Sequence, residues 1–320
     1  MRLRFQILFS NFTDVVVSDY NAIMPQEYNK TRVAQGAFYI ICASFCFALM
    51  GMFAHLAGGI PFMQKAFFRN IIAFFIAAAL LLKECRIGKH PFALPQGSVR
   101  FLFFRSAAGS LGIFGNFYAI DKINIADASI LNKMSPFFAV VFSFVLLGEK
   151  IMPLPLAAIC VSIVGAALVI KPSFNVVAML PSLAGFFGGI GAGFAYTCVR
   201  RLSAMKVNNT LIVTYFSFFS SLLTVPFLLF NFSPMTPRQL LIMFAAGIAA
   251  AGGQFFITAA YGAAPAAKIS IFDYSQIVFS SLMGYIAFGQ IPDATSFAGY
   301  AVIIAMAIVV FVYNRRHSDY

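Results

Sequence analysis

Residues Ile125–Leu146 read IADASILNKMSPFFAVVFSFVL, and Ala266–Phe288 read AAKISIFDYSQIVFSSLMGYIAF. A helix needs about 20 mostly apolar residues to cross a bilayer, and both stretches meet that length. Each also carries an ionisable residue well inside its ends, Lys133 in the first and Asp273 in the second. The two are copies of one another. A shift of 141 residues lays Ala126 on Ala267, Ser129 on Ser270 and Ile130 on Ile271. The same register carries Gly112 onto Gly253, Ala119 onto Ala260, Gly148 onto Gly289, Ala157 onto Ala298 and Ala166 onto Ala307, without a gap.

Composition extends this reading outward. Of 320 residues 61% are hydrophobic and only 10% charged, whereas a soluble domain is about a quarter charged. A secreted enzyme, a nucleic-acid-binding domain and a disordered scaffold are therefore excluded. Ten apolar segments can be marked: Val33–His55, Phe62–Leu82, Phe101–Ile120, Ile125–Leu146, Pro153–Ile170, Leu180–Val199, Leu211–Asn231, Leu240–Ala260, Ala266–Phe288 and Ser296–Tyr313. Their connections are short and rich in Pro, Gly and charge. The five cysteines, Cys42, Cys46, Cys85, Cys160 and Cys198, form no CxxC and read as small hydrophobes.

The basic residues orient the chain. Of 22 Lys and Arg, 15 fall at the termini or in the loops after even-numbered segments, and three (Lys122, Lys171, Arg238) fall in the loops after odd-numbered ones. Cytoplasmic loops carry the excess of Lys and Arg, so both termini are expected in the cytoplasm. The net charge of +12 is then a topology signal and a contact with anionic lipid rather than a sign of nucleic-acid binding. The expected organisation is an all-α integral membrane protein of ten transmembrane helices. It comprises a cytoplasmic N-terminal extension (1–32), a first five-helix repeat (33–171), a second (180–313) and a cytoplasmic tail (314–320). Val15–Val17 is too short for a signal-peptide core, and Met24 with the basic lead-in after it would be an adequate start, so residues 1–23 read as dispensable. An odd number of spans per repeat makes the second copy enter from the opposite side. Inverted repeats with a substrate site near the midplane are a common plan of secondary transporters.

The residues resemble a known family at this point. Leu147-Gly148-Glu149-Lys150 closes the fourth segment and Phe288-Gly289-Gln290-Ile291-Pro292-Asp293 the ninth. Phe67-Phe68-Arg69-Asn70, Ala126 through Pro136, and Ala260-Tyr261-Gly262-Ala263-Ala264-Pro265-Ala266-Ala267 running into Phe272-Asp273-Tyr274 fit as well. Together they are similar to the EamA-like branch of the drug/metabolite transporter superfamily, over roughly Val33 to Tyr313. The resemblance implies a metabolite carrier whose cavity lies between the third, fourth, eighth and ninth spans with the first and sixth. One departure is Gly289-Gln290, where the family's second copy usually ends in Gly-Glu.

Ionisable residues deep in a span are costly and mark function by default. Lys133 lies about 12 Å and Asp273 about 10 Å from the ends of their segments, at about 1.5 Å per residue. Because those depths run from opposite faces, the two backbones come to nearly one height. Ser129, Asn132, Lys133 and Pro136 share one helical face, as do Ser270, Asp273 and Tyr274, with Gln276 beside them. Pro136 leaves the carbonyl of Asn132 without a helical donor. The two stripes are expected to face each other across a wet cavity and bind substrate; the alternative is a Lys133–Asp273 ion pair that pins two spans together. Asn116, Tyr118, Tyr196 and Gln254 are further candidates for the cavity wall. Arg69 with Asn70, and Arg105, lie less than two turns from segment ends, where they snorkel or bind lipid phosphate. Gly185, Gly189 and Gly193 form a small-residue stripe for close packing or sliding.

Enzyme chemistry finds no support: His55, His90 and His317 are isolated, without HExxH or a Cys/His cluster. No GxxxxGK[ST] is present to bind ATP, and no cofactor is implied. The expected function is secondary transport of a small polar metabolite, amino-acid or nucleoside-like, across the cell membrane by alternating access. Its partners are a small-molecule substrate and the lipid bilayer, with a homodimer left open. An exporter of lipophilic cations, or less readily a membrane enzyme, is the alternative. The topology makes a direct prediction: cysteines at Ile123–Asn124 label only from outside and cysteines at Ala264–Pro265 only from inside. Equal labelling of both loops from outside would remove the inverted repeat.

Overall fold

The computed structural model describes residues 30–88, 92, 94–147, 153–170, 176–264 and 269–316. These residues are helical: α1 (Lys30–Leu56), α2 (Phe62–Arg86), α3 (Ser98–Lys122), α4 (Ile125–Asn132), α5 (Ser135–Leu147), α6 (Pro153–Ile170), α7 (Val176–Ala204), α8 (Asn209–Asn231), α9 (Pro237–Ala263), a 3-10 turn (Ser270–Tyr274), α10 (Ser275–Phe288) and α11 (Ala294–Arg316). Seven described stretches are long and apolar enough to cross a membrane: Thr31–Leu56, Phe62–Arg86, Ile125–Leu146, Met179–Ala204, Asn209–Asn231, Pro237–Ala263 and Ala294–Tyr313. The third expected span, α3, is as long as α2 but carries Arg100, Arg105, Asp121 and Lys122. In the fifth, the apolar stretch is the shorter Leu156–Ile170.

Two expected spans are broken rather than continuous. The fourth stops at Asn132; Lys133 caps it (φ −76°, ψ 10°), and α5 restarts at Ser135. The cause is Pro136, which has no N–H to give and whose ring crowds the carbonyl four residues back. The ninth begins with the tighter 3-10 turn before α10. Under the 141-residue shift Lys133 falls on Tyr274, so the two breaks occur at positions related by that shift. Other ends are capped by their own sequences: Thr236 and Gln239 make a capping box ahead of α9, with Pro237 opening it. Gly289, at φ 64°, ends α10 in the left-handed conformation that glycine adopts without strain.

The helices pack in a definite set of pairs. The most extensive contacts are α3 with α7, α1 with α9, α2 with α8 and α6 with α11. Large apolar side chains such as Phe38, Phe75, Phe187 and Phe230 face outward, as a lipid-facing surface requires. The glycine stripe of α7 seats the broken span. A side chain at Gly189 would meet the carbonyl oxygens of Leu131 and Asn132 at 2.8 and 2.9 Å, and one at Gly193 would meet that of Ser135 at 2.6 Å. On its other side α7 meets α3 through Gly188, where an added side chain would meet the carbonyl oxygen of Gly112 at 2.9 Å. Small residues let backbones approach this closely.

Gly189→Ala is expected to lower folding stability by about 1–3 kcal/mol, the usual cost of overpacking. The drop in melting temperature of the detergent-solubilised protein measures it. Gly59→Ala, with nothing within 4 Å of the added carbon, serves as the neutral control.

Candidate substrate site

The break in the fourth span turns Lys133 inward, and the 3-10 turn brings Asp273 to meet it. Lys133 Nζ lies 2.7 Å from Asp273 Oδ1, with the two residues 1% and 0% exposed. The contact is direct, whereas the sequence reading favoured two stripes facing each other across a wet cavity. Ser44 on α1 donates to Asp273 Oδ1 at 3.2 Å and to its carbonyl at 3.3 Å. Tyr274 donates its hydroxyl to the carbonyl of Lys133, the residue at the break, at 3.1 Å. Asp273 Oδ2 is buried without a hydrogen-bond partner.

Beside this pair lies a cavity of about 70 Å³. Room for one water takes roughly 10–15 Å³, so it is large enough for a handful of waters. Among the expected residues, Asn116, Asn132, Lys133, Tyr196, Gln254 and Gln276 line it. Asp273 and Tyr274 stand behind Lys133, outside the lining. Ser129 is used elsewhere, donating to Ser280 Oγ at 2.9 Å and joining α4 to α10. Ser270 opens the 3-10 turn, but its side chain is outside those described, as are Gly148, Glu149 and Lys150. Tyr118 lies instead against Phe62, in a separate recess with Lys65 and Asp121 near the α1–α2 turn.

Two lining residues correct the sequence reading. Arg69 and Arg105 do not snorkel to a surface; they are 1% and 3% exposed and reach into the cavity. Arg105 donates from Nη2 to Gln254 Oε1 at 2.9 Å, with its guanidinium carbon 3.5 Å from the centre of the Phe216 ring. Arg69 donates from Nη1 to Asn70 Oδ1 at 2.9 Å, and Asn70 donates in turn to Ser220 at 2.7 Å. Each arginine lies about 10 Å along its helix from the nearer end, a depth similar to that of Lys133. Their place near the marked segment ends hid that depth; what snorkelling requires, a lipid-facing side, is missing because α7, α8 and α9 cover α2 and α3 there. The wall also draws on the second and seventh expected spans, through Arg69 and Phe216, as well as on the six that the resemblance implied.

Chemically the wall is cationic and amidic, with aromatic faces. Tyr196 stacks on Tyr261 at 4.8 Å and 19°. Among the described residues no three His, Cys, Asp or Glu gather as a metal would require. At one lip, Gln290 acts as a neutral tie: it accepts from the Ile125 amide at 3.1 Å and approaches His55 Nε2 at 3.2 Å. That use explains how an amide serves where the family pattern has an acid.

Removing one member of a buried ion pair strands the other charge, at a cost of about 3–5 kcal/mol. Asp273→Asn and Lys133→Met, made singly, are each expected to reduce the yield of monodisperse protein and its melting temperature. Size-exclusion chromatography after thermal challenge checks both.

Residues 34–171 match the EamA-like transporter family. The pseudopaline exporter CntI of Pseudomonas aeruginosa is 32% identical over 281 residues, 86% of this chain and 95% of that protein. Human solute carrier family 35 member G1 is 26% identical over 284 residues, 84% of this chain and 77% of that one. A solved crystal structure has the same fold, with a TM-score of 0.64 at 18% identity, covering 90% of this chain and 99% of the other. The chain belongs to the EamA-like transporter family of the drug/metabolite transporter superfamily, and is a multi-pass membrane transporter of a small molecule.

Proposed function

We propose that this protein is a secondary transporter that moves a small polar metabolite, amino-acid or nucleoside-like, across the cell membrane by alternating access. The observation that carries the reading is the cavity at mid-depth, walled by Arg69, Arg105, Lys133 and a set of amides. Charged groups held at that depth are expensive unless they serve a ligand or an ion path.

The scaffold proposed is ten spans in two inverted five-helix repeats, 33–171 and 180–313, with both termini cytoplasmic. Helix pairing supports it. Exchanging the halves turns the α3–α7 pair into the α9–α1 pair, while α2–α8 and α6–α11 exchange into themselves. The breaks at Lys133 and in the turn Ser270–Tyr274 occupy corresponding sites as well. Two near-equivalent halves around one cavity give two near-equivalent states, open to either side. Lys133 spans the cavity wall and Asp273, so a substrate that replaces their contact couples binding to the interface between the halves. The exporter named for pseudopaline supports transport as the activity.

An exporter of lipophilic cations is disfavoured by the same wall. It calls for an unpaired acid facing the cavity, whereas here three cations line it and Asp273 is turned onto Lys133.

Lys133→Met combined with Asp273→Asn removes both charges and leaves neither stranded. The double variant is expected to fold normally and to lose flux, or to change selectivity, in proteoliposomes loaded with a mixed metabolite pool and read by mass spectrometry. Normal flux with normal selectivity would reduce the pair to a structural pin, and no flux from the unaltered protein would remove the transport reading itself.

A further inference from the structure

The charges around the cavity do not balance. Among the described residues at the cavity, Lys133 is paired with Asp273, and Lys65 with Asp121 lies in the separate recess. Neither buried guanidinium takes part in an ion pair. Arg69 is held by the sulfur of Met50, at 3.2 Å from Nε, and by the amide of Asn70. Arg105 is held by the amide of Gln254 and the face of Phe216. All four partners are neutral, and Nε and Nη1 of Arg105 are buried with no partner at all. Guanidinium groups stay protonated at neutral pH. One carboxylate thus answers three cations, leaving a surplus of two positive charges in a water-poor interior, where an unanswered charge is costly.

Resting on the transport reading above, we infer that the substrate supplies the missing countercharge. It is a small polyanion with at least two negative groups, carboxylate or phosphate, one taken by Arg105 and the other by Arg69. The bond to Gln254 and the stacking on Phe216 fix the plane of the Arg105 guanidinium and leave its other edges free. A guanidinium held this way is preorganised for an oxyanion, which it binds through charge-assisted and often paired N–H donors. Gly109 and Gly112 line the wall beside it, and a side chain built on Gly109 would stand 3.5 Å from Arg105 Nη1. The missing side chains keep the approach to the guanidinium open. Asn116 Oδ1 is also buried and unpartnered, an acceptor for a hydroxyl or ammonium on the same molecule. A cationic drug meets the same surplus as repulsion. Lys133, already paired with Asp273, is the secondary contact, and the two arginines are the principal ones.

The test uses the full chain in proteoliposomes loaded with a cell metabolite extract, with efflux followed by mass spectrometry. The species that leave faster than from protein-free vesicles loaded with the same extract are expected to carry two or more anionic groups, and their masses tell carboxylates from phosphates. For the species so identified, Arg105→Gln and Arg69→Gln are expected to lower the initial rate by about tenfold or more, the worth of a hydrogen bond to a charged group. Arg105→Lys keeps the charge but not the fork and is expected to fall between. A second measurement needs no variant: an analogue with one anionic group masked as its amide is expected not to compete with the unmodified substrate. Flux confined to neutral or cationic species, or full competition by the masked analogue, would overturn the inference and leave the transport reading standing. No flux of any species would remove both.

Discussion

A charge held in hydrocarbon must be enclosed and answered, and in this protein that constraint is concentrated at the 2.7 Å contact between Lys133 and Asp273. The contact joins two places where a helix departs from regular winding. Irregular backbone at membrane depth is tolerable where protein surrounds it, and here the surroundings are specific. Tyr274 donates to the carbonyl of Lys133, and Ser44 donates to Asp273 from a third helix. Each break supplies the charge that the other needs, and the pair ties the first half of the chain to the second.

That arrangement depends on close approach, which α7 provides. Its glycines lie against the carbonyls of Leu131, Asn132 and Ser135, the stretch where the fourth span is interrupted. A side chain there would clash with those carbonyls, so α7 or the broken span would have to shift. The same helix meets α3 through Gly188 and Gly112, so one stripe of small residues positions both walls that carry Arg105 and Lys133. Packing in lipid gains little from hydrophobicity, so shape and hydrogen bonding decide the arrangement. The serine pair Ser129–Ser280 and the Gln290 tie to Ile125 belong to the same economy.

The cavity that results is small, polar and strongly cationic. Its volume suits a handful of waters, so a bound metabolite calls for the helices to part. The proposed exchange symmetry of the halves offers a route, because the pairs α2–α8 and α6–α11 persist while α3–α7 and α1–α9 trade roles. A charged substrate entering such a site offsets its own desolvation with charge already in place. On the proposed reading, the site selects by sign before it selects by shape.

Much of this was legible in the residues. Apolar length fixed the helical membrane class, and the 141-residue register suggested the proposed repeat. Pro136 marked the break, and depth along a helix, at about 1.5 Å per residue, singled out Lys133 and Asp273. Tertiary structure decided which of the deep polar groups share a space. It gathered Asn116, Asn132, Tyr196, Gln254 and Gln276 with Lys133, sent Ser129 to Ser280, and turned Asp273 away from the cavity. It also moved Arg69 and Arg105 from the lipid surface to the centre of the candidate site. The physical reason is that sequence gives a residue's height and its angle around its own helix, whereas burial depends on which neighbouring helix stands at that angle, and only the packed molecule contains that information.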